Sequence, residues 1–68
     1  MQAKEAPATP PALAYNVPEF CFTHRISRSH FYALLRNGLG PRLMRAGGRV
    51  LISHEAAAEW RRAMEGAK

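Results

Sequence analysis

Gly47-Gly48, set between RLMRA and RVLIS, is the feature that most narrows what this chain can fold into. Paired glycines accept the positive φ angles of a tight reversal, and the flanking segments are short and not helical in spacing, as strands of a hairpin require. A two-residue loop sets Arg45 opposite Val50 and Ala46 opposite Arg49, with two arginines beside the tip; a longer loop shifts that register, and the sequence admits both. Whatever else the chain does must be compatible with this ribbon. At 68 residues there is room for one domain around it and no more.

Upstream the spacing is helical. Asn16-Val17-Pro18-Glu19 puts a capping side chain three residues before a glutamate, with proline in the first turn, and predicts a helix over residues 17–24. Tyr15 and Phe20 then occupy the two positions of a hydrophobic staple. Ser27 caps a second helix over residues 28–36, which Asn37-Gly38 and Pro41 bring to an end. At roughly 100° per residue, Phe31, Leu34 and Leu35 of that helix share a face and are predicted core, whereas Ser29, Tyr32, Ala33 and Arg36 lie opposite. After the ribbon, Ser53 caps HEAAAEWRRAME, where Ala56, Ala57, Trp60 and Met64 form the apolar stripe. Trp60 is expected to contribute most to the core. The first 14 residues, MQAKEAPATPPALA, contain Pro7, Pro10 and Pro11 among alanines and read as a flexible tail, leaving residues 15–66 as the folded domain.

Charge is segregated. From Phe20 through His54 the chain carries Arg25, Arg28, Arg36, Arg42, Arg45 and Arg49 and no acidic residue, while Glu55, Glu59 and Glu65 accompany Arg61 and Arg62 later. With a net charge of +5, this is the footprint of a nucleic-acid binder; a solvated basic face is the plainer account of the same residues. Arg42 is also placed to neutralise the carbonyl end of the second helix. Cys21 is the only cysteine, so no internal disulfide can form, and a reducing cytoplasm suits the chain. MQAKEAPATPPALA lacks the apolar core of a secretory signal, and no apolar run approaches the ~20 residues a membrane-spanning helix needs. Cys21, His24, His30 and His54 are scattered over several elements without a Cys-x-x-Cys pair, so no metal is expected and Cys21 reads as a small buried residue. The C-terminal glutamates lie on a solvated helix with no nucleophile and base beside them, so neither catalysis nor a cofactor is expected.

Taken together, VPEFC, ISRSHFYALLRNG, GPRLMRAGGRVLIS and EAAAEW resemble the small DNA-binding domains of the excisionase and AlpA-type regulator family, related to the MerR DNA-binding module. The resemblance runs from Asn16 to Met64. It implies an α+β, mostly helical fold, a winged helix-turn-helix with a two-stranded hairpin as the wing and a C-terminal helix behind it. Double-stranded DNA is the implied partner, with the second helix in the major groove and the wing on the adjacent minor groove or backbone. Carried over by position, Arg28, Ser29, Tyr32 and Arg36 from the helix and Arg45 and Arg49 from the wing contact bases or phosphates. Many relatives have glycine where this chain has Arg25, so either Arg25 takes a backbone angle that suits glycine or the turn differs from the common form. The implied function is that of an excisionase, a recombination directionality factor: adjacent copies bind repeated sites, bend the DNA and assist a site-specific integrase in excising a prophage or integrative element, in the cytoplasm at the nucleoid. An AlpA-type transcriptional regulator at promoter DNA is the alternative, and an adaptor whose basic face binds an acidic protein is a third.

Overall fold

The computed structural model describes residues 12–66. In chain order the elements are β1 (Ala14–Asn16), α1 (Val17–His24), α2 (Arg28–Arg36), β2 (Met44–Ala46), β3 (Arg49–Ser53) and α3 (His54–Gly66). The three strands form one antiparallel sheet in the order β1-β3-β2.

Each helix starts where its capping residue predicts. Asn16 accepts from the Glu19 amide at 2.8 Å while the Glu19 carboxylate accepts from the Asn16 amide at 2.9 Å, so two of the orphan donors at the start of α1 are satisfied reciprocally. Tyr15 packs edge-on against Phe20, with ring centroids 5.8 Å apart, completing the staple. Ser27 and Ser53 do the same for α2 and α3, accepting at 3.0 Å from the amides of His30 and Ala56. The hairpin takes the two-residue loop, with Arg45 opposite Val50 and Ala46 opposite Arg49, and Gly47 carries the positive φ of 62°.

β1 is the departure from the sequence reading. Ala14 belongs to the sheet and not to a tail: Ala14, Tyr15 and Asn16 pair with Ser53, Ile52 and Leu51, and the His54 amide donates to the Leu13 carbonyl at 3.1 Å. Three residues are too few to show a period of two, and their pairing depends on the open edge of β3, which is more than 30 residues downstream. Residues 1–11 of the expected tail lie outside the described residues.

Phe20, Cys21, Phe31, Ile52, Ala56 and Ala57 form the buried centre, ringed by Tyr15, Val17, Ile26, Leu35, Leu43 and Trp60. The largest fully buried side chains are Phe20, Phe31 and Ile52, and Trp60 is half-buried, packing against Phe20 from the rim. Its indole N–H needs an acceptor, and it finds one at the margin of the core, the Leu39 carbonyl at 2.8 Å. Trp60 thereby ties α3 to the loop that leaves α2. Of the expected α2 core residues, Phe31 is buried and Leu35 packs against the centre, while Leu34 is half-buried outside that cluster.

Candidate nucleic-acid interface

α2 is anchored by one face and free on the other. Phe31, its buried residue, contacts Phe20 with centroids 5.5 Å apart, and this fixes which side of the helix turns outward. Arg28, Tyr32 and Arg36 recur at i, i+4, i+8 along the outer side, with Ser29 beside them, and all four are exposed. Tyr32 is 46% exposed and leans edge-on against Phe31, so its ring is braced while its hydroxyl reaches solvent. The structure therefore brings together the four residues that sequence assigns to this helix.

The hairpin pair is arranged differently. Both Arg45 and Arg49 are exposed at the tip, but strand alternation separates them. Arg45 pairs with Val50 and shares the face of buried Ile52, toward the helices, whereas Arg49 shares the outer face with Ala46, Leu51 and Met44. The two guanidiniums thus leave the ribbon on opposite sides. That outer face is not covered by the helices at Met44, which is 41% exposed.

Two arginines are committed elsewhere. Arg42 donates to Glu59 at 2.9 Å and 3.1 Å, linking the segment before β2 to α3 rather than serving the end of α2. Arg61 lies 2.9 Å from His24 Nε2, and His24 Nδ1 lies 2.9 Å from the Phe20 carbonyl. Those contacts are satisfied together when the neutral ring donates from Nδ1 and accepts from Arg61 at Nε2. Arg25, Arg28, Arg36, Arg45 and Arg49 have no acidic partner among the described residues. Their charges face solvent uncompensated by any carboxylate within the span from Phe20 to His54. Burial raises the Cys21 thiol above its ordinary range, and the positive charge of Arg28 pulls it weakly the other way.

One exposed side chain was not singled out by sequence, and a second position, Arg25, resolves a choice that sequence left open. Phe22, on the outer side of α1, is 84% exposed. Its position could have been read from the helical wheel, where it falls opposite Phe20 and Val17. Arg25, at the turn into α2, has φ 61° and ψ 42°, the left-handed region. Of the two alternatives open for this position, the chain takes the glycine-like angle with an arginine.

Among the described residues no group of three or more His, Cys, Asp or Glu side chains converges, no cavity opens, and no helix is long and apolar enough to cross a membrane. Comparison of the chain with protein-family models, with curated proteins and with solved structures gives no match.

Proposed function

We propose that this chain is a sequence-specific double-stranded DNA-binding protein of winged helix-turn-helix type, with α2 as the helix that enters the major groove and the β2–β3 hairpin as the wing. The observation that carries this reading is the row Arg28, Tyr32, Arg36 on the free side of α2, joined by Arg45 and Arg49 at the hairpin tip, in a stretch without a single carboxylate. Guanidiniums at both ends of a short helix are spaced to reach phosphates on the two sides of a groove. Ser29 and Tyr32 between them present a hydroxyl and a ring edge to base edges or a thymine methyl. Arg45 and Arg49, leaving the ribbon on opposite faces, suit a tip laid along a narrower groove with phosphate on each side.

On the resemblance stated above, the role is that of an excisionase. A single module of this size buries only ~600 to 1,000 Å² of protein surface on DNA, which is little for high specificity. Neighbouring copies on repeated sites would multiply affinity through linked binding. In that reading the assembled copies bend the attachment region for an integrase.

Titration of a fluorescent duplex at several salt concentrations tests the DNA contact. Four phosphate contacts, from Arg28, Arg36, Arg45 and Arg49, give a log–log slope of roughly −3.6 or steeper, at about −0.9 each. Affinity should then fall about 150-fold between roughly 50 and 200 mM salt. Binding without salt dependence would contradict the reading. The excision role is tested by adding the protein to an integrase reaction on the element's attachment DNA, where recombination should shift toward excision and repeated sites should be protected from nuclease.

A further inference from the structure

α1 and α2 end in the same way. At α2, Gly38 has φ 72°, its amide donates to Leu35 and the Leu39 amide donates to Leu34. At α1, Arg25 has φ 61°, its amide donates to Phe22 and the Ile26 amide donates to Cys21. Both are Schellman closures, whose left-handed residue is ordinarily glycine because any Cβ crowds the following carbonyl. The chain uses glycine at one closure and arginine at the other.

Nothing within the described fold repays that choice. The Arg25 side chain is exposed, forms no hydrogen bond and has no acidic partner among the described residues, so glycine would serve the turn better. Strain of this kind, retained where a simpler residue fits, points to a use for the side chain outside the fold. Arg25 precedes Ser27, the cap of α2, by two residues, so this exposed residue is placed just before the amino end of α2, next to the Arg28 end of the Arg28–Tyr32–Arg36 row. A helix lying in the major groove has a phosphodiester strand past each of its ends.

We propose that Arg25 is a further phosphate contact, extending the α2 surface beyond the helix and held there by a backbone conformation that costs folding stability. The proposal rests on the DNA-binding reading and deepens it.

The test uses the full chain, a fluorescein-labelled duplex of mixed sequence and anisotropy at several potassium chloride concentrations, beside thermal melts of the free proteins. Arg25→Gly should melt no lower than the wild type, bind the duplex about tenfold more weakly at low salt and show a slope shallower by about 0.9. Arg25→Asn, uncharged and tolerant of the left-handed region, should show the same loss. Arg25→Lys should keep most of the affinity and the slope. Wild-type affinity and slope in Arg25→Gly and Arg25→Asn, with the wild type itself binding in a salt-dependent way, would overturn the role of Arg25 alone. A wild type that fails to bind duplex would overturn the DNA-binding reading and this proposal together.

Discussion

Replacing Phe31 by alanine should leave the free protein without a stable native state. Phe31 is fully buried and is the one buried residue of α2, so it is the main fastening between the helix and the rest of the domain. Emptying such a site costs about 3 to 5 kcal/mol, the lost contact with Phe20 included. A core of this size supplies a net stability of only about 3 to 5 kcal/mol. The difference is near zero, which corresponds to roughly half the molecules unfolded at 25 °C. Phe31→Leu keeps most of the volume, costs under about 1.5 kcal/mol and should stay folded. Far-UV circular dichroism and urea titration of the three proteins measure this directly. If the DNA-binding reading holds, duplex at about 100 times its dissociation constant adds about 2.7 kcal/mol and should restore helicity to the alanine variant. A Phe31→Ala protein that melts cooperatively within about 8 °C of the wild type would refute the inference that this core stands close to its threshold.

Asn16→Ala removes the acceptor for the Glu19 amide and should cost about 1 kcal/mol, lowering the melting temperature by about 4 to 8 °C, whereas Asn16→Asp should retain the wild-type value in the same calorimetric scan. The raised Cys21 thiol makes stability depend on alkaline pH: the neutral form is favoured by folding, so its contribution is intact below the ordinary thiol range near about 8.5 and is lost as pH rises through the higher folded value. Denaturant midpoints at neutral and alkaline pH should therefore differ more for the wild type than for Cys21→Ala, and equal differences would remove Cys21 as the cause. In DNA titrations, Arg28→Ala and Arg49→Ala, each removing a phosphate contact, should weaken all duplexes alike and each flatten the salt slope by about 0.9. Arg42→Ala, which breaks only the exposed pair with Glu59, should change stability by under about 1 kcal/mol.

Much of this protein is local chemistry and was legible as such. Asn16, Ser27 and Ser53 mark three helix starts because a capping side chain acts on amides two or three residues away. Gly47-Gly48 marks the hairpin because paired glycines accept a tight reversal, while the two-residue loop and its register were decided by the structure. That Ser29, Tyr32 and Arg36 turn outward follows from Phe31 being the bulky apolar residue on the other side of a short helix, whereas Arg28 lies nearer the Phe31 side and its exposure was decided by the structure. The tertiary structure alone decided what depends on distant partners. Ala14–Asn16 become a strand only because β3 offers them an open edge. Trp60 sits at the margin of the core because its N–H had to reach the Leu39 carbonyl. Which arginines remain free was settled the same way: Arg42 meets Glu59 and Arg61 meets His24 across 17 and 37 residues of chain, separations over which a sequence pattern carries no geometric information.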